Sequence, residues 1–402
     1  MTVDASNIVN QQDTDNEFIP LCVPEIKGNE WKYIKDCLDT NWVSSVGAYV
    51  DSFEQSIARY LGRRYAVACV NGTSALHIAL LVSGVGINDE VIVPALTFIA
   101  PVNAIRYTGA YPVFIDICDD IWQMDVNKLK DFLSRQCVYT NGCLVNKVTK
   151  RKIKAIIPVH ILGHPVDMSP IMEMAREYNL IVIEDAAESL GAEYKGKKVG
   201  AIADIACLSF NGNKIITSAG GGMIVTDDSK MAEEARYLTT QAKDDALEAI
   251  HNHIGYNYRL TNIQAAMGLA QMEMLEEYIK AKRQMADYYR DGLKAVAGIT
   301  LPKEAEWARS VFWLYTILLD EDKTQISSRE MLNILKEHNI ETRPLWHPVY
   351  KLLPFRGCYS YKIKTVDRLY QQGLSLPSSV GITRKQQDRV INIIKRNITI
   401  NS

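Results

Sequence analysis

Seven short runs of apolar, mostly β-branched residues punctuate the first two-thirds of the chain, with helical patterns between them. The runs are Tyr65–Val70, Glu90–Pro94, Tyr111–Ile117, Ile153–His160, Leu180–Asp185, Asp204–Phe210 and Gly222–Thr226. Several are apolar along their length, as in Ala155-Ile156-Ile157-Pro158-Val159 and Leu180-Ile181-Val182-Ile183. A strand with one face in water alternates, whereas a strand covered on both faces does not. Segments between the runs carry helix signals. Ser169-Pro170 opens IMEMAREY with a cap and a first-turn proline, and the helix that follows Gly72 stops on Gly84. This alternation predicts an α/β fold: a mostly parallel seven-stranded sheet flanked by helices.

The pattern changes after Asn262. Residues 262–296 read as one long helix. Beyond it come a strand in Val311–Leu319, a helix over Ser328–Glu337, an irregular proline-bearing segment from Arg343 to Pro354, and an amphipathic helix from Thr383 to Lys395. The expected organisation is a loose leader over residues 1–19, a large α/β domain over 20–262, and a connecting helix with a smaller α+β domain over 263–402. A chain of 402 residues suits two domains, and 47% apolar residues suffice for their cores.

Charge and punctuation narrow the partners. The net charge of −2 gives no case for nucleic acid. The longest apolar run, Val91–Ile105, is broken by Pro94 and Pro101 and falls short of a membrane span. Met1–Glu17 lacks the basic start and apolar centre of a secretory signal. The eight cysteines form no CxxC pair and read as reduced thiols, so a cytoplasmic location is expected.

Four separated segments carry polar residues at the ends of these strands. Asn71-Gly72-Thr73-Ser74 stands between a strand and a helix, where unpaired amides and the helix dipole suit a phosphate; equally, Thr73 reads as an ordinary helix cap. Glu184-Asp185-Ala186-Ala187-Glu188 ends an apolar strand, and ligands of open α/β sheets sit beyond such carboxyl ends. Ser209-Phe210-Asn211-Gly212-Asn213-Lys214 follows another strand, and places a serine five residues before a lysine. Gly255–Asn262 precedes the long helix, with Thr261 or Asn262 as its cap. His160 and His164 are four apart, but Gly163 and Pro165 break any helix, so they do not read as a metal pair, and no metal site is expected. His160 reads as a residue of the site's rim, and His347, in Leu345-Trp346-His347-Pro348, as a packed-loop residue or a contact from the small domain. His251 and His253 read as loop residues.

Taken together and in order, these segments closely resemble the DegT/StrS family of nucleotide-sugar aminotransferases, over nearly the whole chain from about Pro20. Trp42–Gly47, Leu96–Ala100 and Pro158–His160 join the match. The resemblance implies the pyridoxal 5′-phosphate (PLP) dependent aminotransferase fold type I. It implies Lys214 as the lysine that bonds the cofactor, Asp185 as the acid facing the pyridine nitrogen, and Phe98 stacked on the ring. Thr73, Ser74 and Ser209 would hold the phosphate, with Asn257 supplied by a second subunit of a homodimer. Glu188 falls where many members carry glutamine near the ring hydroxyl. Ser218-Ala219-Gly220-Gly221 also departs from the acidic residue common there. The phrases VNGTSALHIALL and IEDAAESLGA are most similar to a branch that aminates UDP-linked 4-keto-6-deoxy-N-acetylhexosamines with L-glutamate, for bacterial surface glycans. Two other activities remain open on this fold. Relatives that are sugar dehydratases commonly carry histidine in place of the lysine, so Lys214 speaks against that chemistry. A non-catalytic regulator would have no use for Asp185, Ser209 and Lys214 together.

Overall fold

The computed structural model describes residues 17–245 and 247–398. All seven strands read from the sequence form and share one sheet. They run in the order Tyr65–Cys69, Gly222–Thr226, Ile205–Ser209, Ile181–Asp185, Lys152–Ile156, Glu90–Pro94, Tyr111–Ile115. Gly222–Thr226 is antiparallel to both neighbours, and the other six strands point the same way. Glu90–Pro94 and Gly222–Thr226 are buried at every position, which is why they show no alternation. This is the mostly parallel sheet flanked by helices of fold type I.

Three further strands join the sheet. The hairpin Cys137–Thr140 and Cys143–Asn146 pairs with Lys152–Ile156. Its first strand is exposed at three of four positions, so it left no apolar run to read. Tyr359–Tyr361, from the C-terminal part of the chain, lies parallel to Tyr111–Ile115 and covers that edge. Asp116 fastens it: the buried carboxylate accepts the backbone N–H groups of Lys364, Thr365 and Val366 and pairs with Lys128 at 2.6 Å.

The long helix is Asn262–Leu293, and the cap is Thr261, in a capping box with Gln264. Its first half packs Ala265, Met272, Leu275 and Ile279 against Phe53 and Ile57 of the helix Ala48–Leu61. Its second half gives Met285, Tyr289 and Leu293 to the core of the C-terminal sheet, ordered Ile299–Thr300, Tyr315–Leu319, Gly373–Leu376, Arg343–Pro344. At roughly 1.5–3 kcal/mol for each large apolar side chain removed from water, this helix is structural to both cores. The expected leader extends into that second core: Ile19 is buried there, and its backbone pairs with Asn339 and Glu341.

The strand expected over Val311–Leu319 begins only at Tyr315. Phe312 takes a left-handed φ of +47°, which breaks the extended chain before the sheet. Among the described residues, no helix is long and apolar enough to cross a membrane.

Candidate active site

A cavity of about 360 Å³ opens beyond the carboxyl ends of the parallel strands. It gathers Thr73, Phe98, Asp185, Glu188, Ser209 and Lys214. These residues come from four different strand ends.

The helix Gly72–Val82 aims its N-terminus at this cavity. Its cap is Asn71, not Thr73: the Asn71 side chain accepts the Ser74 N–H at 2.8 Å. That leaves the Thr73 hydroxyl to the cavity wall. Ser74 is buried and is not among the wall residues. Gly72 packs against the strand that ends on Ser209; a Cβ on Gly72 would stand 2.8 Å from the Ser209 Cβ, closer than carbon atoms approach. Glycine here brings a helix N-terminus and the Ser209 hydroxyl to one spot, an arrangement suited to an anion.

Asp185 ends its strand in register with Cys207, with its N–H on the Pro158 carbonyl. It is 3% exposed, and its carboxylate accepts the Ala187 N–H at 3.1 Å. It forms no ion pair among the described residues. Burial raises its pKa, against the Lys214 ammonium and the Ala187 N–H. An acid so placed is short of a cationic partner, which a protonated pyridine nitrogen supplies.

Lys214 follows a loop closed by its own N–H on the Asn211 carbonyl. Its Nζ lies 3.5 Å from Glu188 Oε1 and 3.9 Å from the centre of the Trp313 ring. Glu188 also accepts the Leu162 N–H at 2.9 Å, and burial raises its pKa despite the nearby lysine. Phe98 stands at the start of the helix Ile99–Tyr107, about half exposed, with its ring on the cavity wall. Beside it the Thr97 hydroxyl is buried and has no hydrogen-bond partner among the described residues. A cradle without Cβ, an unpaired buried acid, an orphaned hydroxyl and an amine in one cavity fit PLP in kind.

His160 does not reach the rim. It is fully buried: Nδ1 accepts the Val166 N–H at 2.9 Å, which leaves Nε2 to donate to Glu184 at 3.1 Å. Burial opposes the Glu184 charge, but His160 and the backbone of Gly200 and Ala203 hold the carboxyl below its usual range. The pair braces the strand end that carries Asp185. His347 lines a neighbouring cavity of about 530 Å³, which shares Asn213, Trp313 and Trp346 with the first.

Asn257 is exposed and lies outside its own chain's cavity. Tyr256 and Tyr258 on either side stack at 5.1 Å and pack edge-on against buried His77 of the helix Gly72–Val82, at 5.0 and 6.1 Å. Trp313 and Trp346 were missed as site residues. Trp313 sits in an apolar run and Trp346 in an irregular proline-bearing segment, and nothing local distinguishes either from a packing residue.

Comparison with known proteins bears on this geometry. The family described as DegT/DnrJ/EryC1/StrS aminotransferases matches residues 24–395. A GDP-perosamine synthase of Caulobacter vibrioides is 41% identical over 379 residues, covering 94% of this chain and 98% of that protein. A GDP-perosamine synthase of Escherichia coli O157:H7 is 40% identical, covering 92% and 96%. The crystal structure of S. venezuelae DesV in complex with a ketimine intermediate aligns with a TM-score of 0.82 at 29% identity, covering 92% and 94%. The chain therefore belongs to the DegT/DnrJ/EryC1/StrS aminotransferase family, and is a PLP-dependent aminotransferase.

Proposed function

We propose that this aminotransferase moves an amino group from L-glutamate to the C4 ketone of a 4-keto-6-deoxy sugar carried by a nucleotide, in the making of bacterial surface glycans. The observation that carries this reading is the convergence of Lys214, Asp185, Thr73 and Ser209 on one cavity, in a chain whose relatives are named for nucleotide-linked amino sugars.

When bound, PLP supplies an electron sink for the carbon that loses its proton. The Lys214 amine would take the proton from the α-carbon of the amino donor in the first half-reaction, and in the second would deliver a proton to the sugar carbon. Asp185 would hold a proton on the pyridine nitrogen of the bound cofactor, and its burial would strengthen that charge pairing by excluding water. Gly72, Thr73 and Ser209 would hold the phosphate, and Phe98 would lie against the ring. Glu188, anchored on the Leu162 N–H, faces the lysine amine. Trp346, from the C-terminal part of the chain, lines the same cavity.

The same reading makes the protein a homodimer with shared sites, because Asn257 is turned outward and would reach the phosphate held by a second copy. The nucleotide is the finer point. Phrases of the sequence favoured a UDP-linked N-acetylhexosamine, while the relatives' names favour a GDP-linked sugar. The test is a panel of GDP- and UDP-linked 4-keto-6-deoxy sugars with L-glutamate, with the amine product read by mass spectrometry. Amination of the GDP-linked ketone alone selects that carrier, and no amination of any member refutes the sugar assignment.

A further inference from the structure

We propose that Trp313 is a positioning residue for Lys214, and that Lys282 and Gly163 lock it in place, so that the entry to the C-terminal sheet sets where the reacting amine stands. The inference deepens the reading of Lys214 given above and rests on it.

Trp313 holds the lysine at two points. Its indole N–H donates to the carbonyl of Asn213, the residue before Lys214, at 2.7 Å. Its ring face takes the Lys214 ammonium at 3.9 Å, within cation–π range. The Cys22 thiol reaches the same Asn213 carbonyl at 3.3 Å, so the N-terminal segment shares the grip. The ring thus fixes both the backbone before the lysine and the end of its side chain.

Trp313 is itself over-determined. Lys282, on the long helix, is 1% exposed and has no carboxylate partner among the described residues. Its Nζ donates to the Trp313 carbonyl at 2.7 Å and to the Ser378 carbonyl. Burying an ammonium on carbonyls alone is costly, and a core of this helix needs no amine; this one pins the Trp313 backbone. Gly163 approaches from the other side. It has a φ of +90°, and a Cβ there would stand 2.6 Å from the Trp313 backbone nitrogen. Its carbonyl accepts the Val311 N–H at 3.0 Å and the Ser310 hydroxyl at 2.9 Å. Between these clamps Phe312 adopts its left-handed φ, which a bulky L residue takes rarely and keeps only when its surroundings enforce it. Leu162, beside Gly163, has a φ of +59° and gives its N–H to Glu188, the other group on the lysine amine. Both contacts of the amine therefore trace to one strained crossing of residues 161–163 and 310–313.

The test follows the capture of PLP by the full-length protein stripped of cofactor. The lysine amine condenses with the aldehyde carbon and releases water. Borohydride added at timed intervals reduces the C=N bond, and peptide mass mapping locates the adduct. Wild-type protein should carry it on Lys214; an adduct on another lysine refutes the reading of Lys214 itself, whatever the variants do. With Lys214 labelled in the wild type, Trp313→Leu should slow capture by about tenfold, because the amine is no longer held at the place of attack. Trp313→Phe keeps a ring face and should lose less, about threefold. Lys282→Met should also slow capture while the circular dichroism stays that of the wild type. Wild-type capture rates in both Trp313 variants overturn the proposal, as does a wild-type rate in folded Lys282→Met. Should Trp313→Leu fail to fold, Trp313→Phe, which keeps an aromatic ring, and Lys282→Met decide.

Discussion

Acid should loosen this protein at His164 before it reaches most of its carboxylates. The His164 ring is 6% exposed. Its Nδ1–H donates to the Pro165 carbonyl at 2.7 Å, and its Nε2 accepts the Ala305 N–H at 3.0 Å. A neutral ring satisfies both contacts; a second ring proton would point at the Ala305 N–H. Burial, opposed by the Pro165 carbonyl and the Glu304 charge, pushes the pKa down to about 4. In the unfolded chain histidine titrates near 6.5. Between those values the unfolded chain holds a proton that the folded chain refuses. The stabilisation is therefore complete above about pH 6.5 and is lost as the pH falls towards 4. At pH 4.5 the loss from this one group comes to about 2.5 kcal/mol. The assay is urea unfolding at pH 7.5 and 4.5, in the wild type and in His164→Gln, which has nothing to titrate. Acidification should cost the wild type about 2.5 kcal/mol more than the variant. Equal losses would refute the argument, since the carboxylates titrate in both proteins. Because His164 closes the turn after Leu162 and Gly163, hydrogen exchange at the Leu162 amide should quicken over the same pH range.

Asp185→Asn should slow the half-reaction with glutamate by about ten- to a hundredfold, the equivalent of one charge-assisted hydrogen bond. It should leave the melting temperature at or above that of the wild type, since a desolvated acid is removed; an unchanged rate by single-turnover absorbance would count against its role. Gly72→Ala puts a methyl group 2.8 Å from the Ser209 Cβ; overpacking of about 1–3 kcal/mol should weaken PLP binding by about tenfold in an absorbance titration, and wild-type affinity would mean that the helix start does not hold the phosphate. Lys214→Ala and Asn257→Ala chains, refolded together, should form mixed dimers in which one site carries both lesions and the other neither. Activity should then appear that neither variant has alone, and a fully active monomer by solution mass would refute the shared site.

The parallel sheet was legible because its strands are buried on both faces, so their apolar runs stand out against polar helix faces. Seven such runs became seven strands; the residues after four of them line the cavity, and it was the resemblance of the whole set of segments to a family that gave those residues their expected roles. What remained hidden lacks a local signature. Tyr359–Tyr361 is three residues long and becomes a strand only because the edge of Tyr111–Ile115 is there to receive it. Trp313 sits inside a run that reads as strand, and only a positive φ at its neighbour Phe312, enforced from Gly163 and Lys282, turns it towards Lys214. The helix Gly72–Val82 starts two residues before the point where a Thr73 cap would begin it, because the Asn71 side chain accepts the Ser74 N–H. His160 was read at the rim because a histidine after a strand end suggests chemistry, whereas its partner Glu184 alternates to the opposite side of the strand from Asp185.

The strand Tyr359–Tyr361 also sets a schedule for biosynthesis. A ribosome releases this chain from its N-terminus, and residues up to Asp185 emerge long before the segment that covers the sheet's edge. Until about residue 366 is out, Tyr111–Ile115 presents a row of unpaired amides and carbonyls, and the buried Asp116 carboxylate lacks the three N–H groups that later satisfy it. An uncovered apolar edge is a template for another nascent chain. The domain that carries the lysine and its acid therefore completes its own sheet late, and a chain stopped short of Tyr359 would tend to aggregate although every residue of its catalytic cavity had already been made.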